Sequence, residues 1–444
     1  MSHAAAHSGH GHAGAAPSAA QLSHDNINLS GGAGFSLPMM GAGAAAIIAG
    51  VVVAKGTEGG LAHGLAAYHV ATMAILAICL GATFFVLIWN LLNAGWSATI
   101  RRQAENIMSF LPYAFLLIVP TLVIETLQHG VIFQWMNPAN YGDPLLFEKA
   151  GYFFGPRSVI DHATHEPVKH FVFPVFFFAR AAFYGVFWTF ISRRMVGLSL
   201  RQDQTGDRWL TAEARTTSAW GMLVFALTTA FASFDWLMSL DYRFFSTMWG
   251  VWYFAAAAFS SIALVSLILA RLLAAGKLKG CVTSEHFHDL GKLLFSFTVF
   301  WAYISFSQYF LIWYSNIPEE TAFYIFRKQG DWDVVRMILI AGHFIVPFLL
   351  LVSRVGKKSF TFMSVMAVFA LAVHGLDLFF AIRPMVDAHN PGIHGVGPVW
   401  IDVIVFVGVC LVFGGYLLRR IASVPLVALN DPRISESLEH RNYV

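Results

Sequence analysis

Charge and cysteine are both scarce in this chain. Only 12% of its 444 residues are Asp, Glu, Lys or Arg, against 57% hydrophobic, and the mean hydropathy is +0.62. No water-soluble chain of this length sustains that balance, so the composition defines a polytopic membrane protein. The three cysteines, Cys79, Cys281 and Cys410, stand far apart and never in a C-x-x-C or C-x-x-C-H arrangement. That excludes an iron–sulfur cluster or a c-type haem ligated by this chain alone. A net charge of +3, spread over short segments, is too small and too dispersed for a nucleic-acid partner. The opening MSHAAAHSGHGHAGAAPSAAQ lacks the basic start and apolar core of a signal peptide and reads as a disordered tail. Its His3, His7, His10 and His12, with His24 beyond, are given no role, since His-rich low-complexity tails are mostly solvated.

What the chain does have is long apolar runs. Ten of them read as transmembrane helices, near 37–54, 66–94, 107–129, 170–192, 216–239, 245–272, 290–315, 334–353, 360–383 and 399–420. Eighteen of the 28 Lys and Arg residues, including Arg101, Arg102, Arg193, Arg194, Arg354, Lys357, Arg419 and Arg433, then fall on one side. The positive-inside rule puts that side, and both termini, in the cytoplasm.

Ionisable groups within such spans are costly and point to proton, ion or substrate handling. Glu125 and His129 sit four residues apart at the outer end of the third span, and Asp235 sits near the outer end of the fifth, with Asp241 in the following turn. His69 and His170 lie at the outer ends of the second and fourth spans, and Arg180 lies inside the fourth. His374 and Asp377, at i and i+3, precede Arg383 at the outer boundary of the ninth. These residues are expected to share one level near the outer face, leaving His343 and Asp402 as the few steps toward the cytoplasm. A layer of carboxylates and histidines rimming an aromatic-rich pocket suits a quinol head that must lose two protons. A His would accept from one hydroxyl and an Asp from the other. The paired histidines of a membrane b-type haem are missing, so electrons would pass to a partner subunit.

Two segments carry a resemblance: SFSQYFLIWYSNIPEET at 305–321 and ASFDWLMSLDYRFFSTMWGVWYF at 232–254. Together they resemble the ActF membrane subunits of bacterial alternative complex III, within the NrfD and polysulfide-reductase-like group, over roughly residues 36–425. The resemblance implies an all-α fold of two four-helix bundles flanked by one helix at each end. The implied division is a tail at 1–36, a first flanking helix and loop at 37–65, bundles at 66–240 and 241–384, a last flanking helix at 385–425 and a cytoplasmic tail at 426–444. It further implies a quinol:cytochrome c oxidoreductase with quinone or quinol as ligand. The implied partners are membrane lipids, an ActC-like membrane subunit, periplasmic iron–sulfur and multihaem cytochrome c subunits, and a terminal oxidase. Carried onto this chain, Asp235 and His129 become quinone or proton ligands, with Asp241, His170 and Arg180 beside them and Glu125 as proton acceptor. Glu125, His69, His343, His374 and Asp377 form the expected proton path, and no metal site is expected. Two other readings stay open: a proton-conducting or scaffolding subunit without its own quinone, and a free-standing ion-coupled transporter.

Overall fold

The computed structural model describes residues 21–29, 31–156, 158–160, 166–389 and 395–442; His3, His7, His10 and His12 lie outside them. Among the described residues, ten helices are long and apolar enough to cross a membrane. They are α1 (Ala33–Ala54), α2 (Gly60–Leu91), α3 (Arg101–Gln128), α4 (Val175–Thr205), α5 (Trp209–Leu240), α6 (Trp249–Ala274), α7 (Ser284–Ser315), α8 (Gly330–Leu351), α9 (Phe360–His389) and α10 (Val399–Ser423). Helices are the only open-ended way to satisfy a backbone inside lipid, and these spans follow that constraint.

α2 to α5 pack as one four-helix bundle and α6 to α9 as a second, joined chiefly where α2 lies against α6 and α9. α1 and α10 pair with each other and rest on α2. α2 is therefore the hub, buried along nearly its whole length. Small residues set the two closest helix approaches. A Cβ on Gly81 of α2 would stand 2.0 Å from the carbonyl oxygen of Ala257 on α6. On the other contact, a Cβ on Gly43 of α1 would stand 2.5 Å from the Gly408 oxygen of α10. With lipid on one side and no water to expel, close backbone packing of this kind is what holds membrane helices together.

Prolines place the irregularities. α3 breaks after Met108 and resumes at Leu111, because Pro112 has no N–H to return to residue 108. Tyr416 of α10 donates its hydroxyl to the Ser109 carbonyl at this break, 3.1 Å away. α8 loosens into a π-helical turn over Ile340–Ile345, just before Pro347, which has no N–H for the carbonyl of His343. α4 begins only at Val175, after Pro174, five residues later than hydropathy suggests. α9 continues past Arg383 and Pro384 to His389, six residues further than its apolar run, because Arg383 is buried against carboxylates instead of marking the membrane edge.

The expected tail at 1–36 is corrected where it is described. His24–Ile27 forms a helical turn, and Asn26 donates to the Lys279 carbonyl at 2.9 Å. The Ile27 carbonyl accepts from the Leu426 N–H at 2.8 Å. The tail expected beyond 426 is likewise packed, with Leu426 and Val427 buried and a short helix at Ile434–Leu438. Both described ends of the chain thus meet at the Arg-rich end of the bundles.

Replacing Gly81 by Ala tests the hub contact. Alanine favours a helix over glycine by up to ~1 kcal/mol, yet Gly81→Ala is expected to destabilise by about 1–3 kcal/mol through overpacking against Ala257. Gly197→Ala on α4, where a Cβ meets nothing, should be neutral or stabilising. Thermal unfolding of both variants in detergent measures the contrast.

Candidate functional site

One polar cluster lies near the middle of the spans of the second bundle. His343, Trp301, His374 and Asp377 each fall within three residues of the midpoint of their own helix, and all are buried. The Trp301 indole donates to Asp377 Oδ2 at 2.9 Å. The His343 ring is sandwiched between Trp301, with centroids 3.7 Å apart, and Phe259, at 4.5 Å. Its Nδ1 stands 3.7 Å from Asp377 Oδ2, and neither ring nitrogen makes a hydrogen bond. His374 donates from Nε2 to the Ala74 carbonyl of α2 at 3.1 Å, which leaves its Nδ1 without a partner. An imidazole with two open nitrogens beside a buried carboxylate can take up and pass on a proton. A side-chain adjustment of under about 1 Å would bring His343 and Asp377 within hydrogen-bonding distance. His343 is placed here by the π turn, which moves it off the regular helical spacing.

The expectation of one polar layer near the outer face is therefore corrected for His374 and Asp377, and His343, expected as a step toward the cytoplasm, lies at their level. His343, His374 and Asp377 sit at the centre, while Glu125, His69, Arg180 and Asp235 sit toward the end remote from Arg101 and Arg102. α9 is longer than its apolar run, and this shifts His374 and Asp377 inward.

At that end Asp235 is held by three donors. Arg180 Nη2 reaches Oδ1 at 2.6 Å, Arg180 Nε reaches Oδ2 at 2.9 Å, and the Tyr184 hydroxyl reaches Oδ2 at 2.7 Å. The guanidinium also lies over the Tyr152 ring, 3.8 Å from its centroid, and donates to the Tyr152 carbonyl at 2.7 Å. Asp235 thus ties α5 to α4 and to the Pro144–Phe154 helix. His69 donates to the Trp236 carbonyl one residue on, at 2.7 Å. Glu125 accepts from the backbone N–H groups of Val131, Ile132 and Phe133 at 2.8–3.1 Å, folding the chain after α3 back onto its own helix.

The remaining expected ligands do not join this group. His129 takes a left-handed conformation, φ 56°, as the residue that ends α3, so it leaves the helical face it would have shared with Glu125. It is exposed and stacks on Phe171, with centroids 4.6 Å apart. His170 is exposed in the segment before α4. Asp241 accepts from the Arg243 N–H at 3.1 Å and closes the turn after α5. Asp402 lies in the first turn of α10, remote from the Arg-rich end, and so is no step toward it. Of the expected pair, Asp235 has both oxygens engaged by Arg180 and Tyr184, and His129 lies exposed beyond the end of α3. Among the described residues no group of three or more His, Cys, Asp or Glu side chains is arranged to hold a metal ion.

Several buried ionic groups escaped the sequence reading. Arg101, Arg102 and Glu105 are buried in the first turns of α3, although Arg101 and Arg102 read as cytoplasmic loop charges. Arg101 pairs with Asp431 at 2.5 Å, Arg102 pairs with Asp203 at 2.5 Å, and Glu105 takes Arg101 at 3.1 Å and the Ser199 hydroxyl at 2.8 Å. The i+3 and i+4 spacing of Glu105 from the two arginines was the available signal. Arg327, between α7 and α8, lies 3.5 Å over the Phe323 ring and donates to the Phe323 and Ala381 carbonyls. Burial pushes its guanidinium down to about 9, partly offset by Asp241 and Tyr324, which leaves it charged at neutral pH. Asp143, at the start of the Pro144–Phe154 helix, accepts from the Tyr242 hydroxyl at 2.8 Å and from Arg243 at 2.9 Å.

The ten membrane-length helices among the described residues, with ionisable groups buried near their centres and toward both ends, define an all-α integral membrane protein. No protein-family model matches the chain, and no curated protein matches it.

Two outcomes test the geometry at this end. Arg180→Met leaves the Asp235 carboxylate buried without its cation and is expected to destabilise by about 3–5 kcal/mol, whereas Arg180→Met combined with Asp235→Leu should recover most of the loss. Thermal unfolding in detergent reads both. At Asp143, burial opposes ionisation, but the bonds from Tyr242, Arg243 and the Leu145 N–H outweigh it and hold the carboxyl below its ordinary 3.8. A depressed folded value contributes stability above the unfolded value and loses it as pH falls through the folded one. Protection of the amides in residues 141–154, measured relative to their intrinsic exchange rates, should therefore hold down to about pH 4 and fall below it, and Asp143→Asn should remove that loss of protection.

Proposed function

We propose that this chain is the proton-handling integral membrane subunit of a respiratory quinol:cytochrome c oxidoreductase of the alternative complex III type. In this reading it carries no quinol ligand set of its own and works beside an ActC-like membrane subunit that oxidises quinol. Periplasmic iron–sulfur and multihaem cytochrome c subunits would take the electrons, with a terminal oxidase beyond. The Arg-rich end, with both termini, would face the cytoplasm of a bacterial inner membrane.

The observation that carries the reading is His343, buried at mid-membrane with both ring nitrogens open and Asp377 Oδ2 3.7 Å away. A structural histidine in so apolar a setting would be expected to use at least one nitrogen, as His69 and His374 do. Embedded ionisable groups in membranes mark ion and proton routes by default. The resemblance of the 232–254 and 305–321 segments supplies the respiratory context. The engaged oxygens of Asp235 and Glu125 favour this reading over direct quinol oxidation by this chain.

In the complex purified from native membranes and reconstituted into vesicles, Asp377→Asn and His343→Gln should leave quinol:cytochrome c reductase turnover within about two-fold of wild type. Proton translocation per electron should be largely lost, because removing a positioned acid–base group slows proton transfer by about 10²–10⁴-fold. Unchanged translocation would reduce the chain to a scaffold. Loss of quinol oxidation on Asp235→Asn, with the complex intact, would restore the quinol-ligand reading. Recovery of the chain from its membranes without partner subunits would remove the respiratory reading altogether.

A further inference from the structure

A second group of embedded charges, which the proposed function does not use, lies where α2, α9 and α10 meet at the end remote from Arg101. Four side chains take part: His63 on α2, Arg383 and Asp387 on α9, and Asp402 on α10. All are at most 6% exposed. His63 Nε2 and Asp402 Oδ2 are 2.9 Å apart, a hydrogen bond between the first bundle and the last helix. Arg383 sits between the two acids, its Nε 3.3 Å from Asp402 Oδ1 and its Nη1 3.4 Å from Asp387 Oδ1. Neither approach has hydrogen-bond geometry. Both oxygens of Asp387, Oδ1 of Asp402, Nε and Nη1 of Arg383 and Nδ1 of His63 make no hydrogen bond to protein.

Two carboxylates face one guanidinium here. With both acids ionised and His63 neutral, the group carries one uncompensated negative charge in a buried setting. An unpaired buried charge is among the costliest arrangements in a folded protein. The remaining charges nearby do not cancel it. Arg327, at the neighbouring connection, is committed to the Phe323 and Ala381 carbonyls. On α8, Arg336 pairs with Asp333 at 2.6 Å, and Asp331 is exposed. On α6, the Tyr253 hydroxyl is bonded to the Met73 carbonyl at 2.9 Å. The groups acting directly on Asp387 are Arg383 and Asp402.

We infer that His63, Arg383, Asp387 and Asp402 form a proton-binding site that takes up a single proton, held on Asp387. The proton comes from water, forms one O–H bond on the Asp387 carboxyl and brings the group to neutrality. It also turns an acceptor without donors into a donor, which can bond to an acceptor oxygen nearby. Asp402, already bonded to His63, keeps its charge opposite Arg383. The site is separate in sequence and depth from His343 and Asp377, and its existence does not depend on the respiratory reading.

A hydrophobic carbodiimide, dicyclohexylcarbodiimide, reacts with protonated carboxyl groups inside membranes and requires no mutation. In native membranes treated at a series of pH values, peptide mass spectrometry is expected to find the adduct on Asp387, with a yield falling at least about ten-fold between pH 5 and pH 9. Sodium at constant pH should leave the yield unchanged. Asp402→Asn, which removes the surplus negative charge while preserving shape, should let Asp387 ionise against Arg383 and lower its labelling at low pH by about ten-fold. No adduct on Asp387, a yield independent of pH, or undiminished labelling in Asp402→Asn would each overturn the proposal. Suppression of labelling by sodium would replace the proton with a monovalent cation.

Discussion

The polar centre of the second bundle depends on the approach of α2 to its neighbours. Gly81 lets the backbone of α2 close onto Ala257 of α6, and the two bundles meet along that line. Because the contact is backbone against backbone, the facing carbonyls of α2 become reachable acceptors. The Tyr253 hydroxyl takes Met73 and the His374 imidazole takes Ala74, two adjacent carbonyls near the middle of α2. Those bonds fix the depth of α6 and α9 against α2, and so fix where Asp377 meets Trp301 and His343.

Burial makes each of these groups expensive, and the molecule answers the cost in three ways. Toward the end remote from the Arg-rich one, Asp235 and Glu125 are saturated with donors, from Arg180 and Tyr184 in one case and from three loop amides in the other. At the Arg-rich end, Arg101 and Arg102 interlock with three carboxylates, Glu105, Asp203 and Asp431, so that every one of these side chains has a partner of opposite sign within 3.2 Å. Between these, and at the meeting of α2, α9 and α10, hydrogen bonding is incomplete. Saturated groups hold helices together; incompletely bonded ones keep free lone pairs or protons, and they are where proton chemistry has room to occur.

Part of this was legible beforehand. Glu125 and Asp235 stand in otherwise apolar segments, so both their burial and their position near one end follow from span boundaries and helical rise. The fate of their partners does not. His129 is four residues from Glu125 and on a continuous helix would share its face, but the helix ends there and His129 turns into the left-handed region. Asp377 read as a boundary residue because Arg383 looked like the edge of a span. Arg383 is instead buried between Asp387 and Asp402, and the helix runs on through it. Local pattern cannot foresee this, because the compensating charge of Asp402 comes from another helix.

The sequence by itself determined the class of protein and the number of crossings. Twenty or so apolar residues in a row have one stable environment, and ten such runs with basic residues gathered on alternate connections leave little freedom in topology. It also determined the kinks, since Pro112 and Pro347 remove backbone donors wherever the helix lies. Tertiary structure alone decided which embedded charges are paired and which are open. Arg180 and Asp235 are 55 residues apart, and His63 and Asp402 are 339 apart. Such pairs form only once helices pack side by side, because inside a membrane the partner of a charge is set by which helix face is nearest, and sequence distance has no bearing on that.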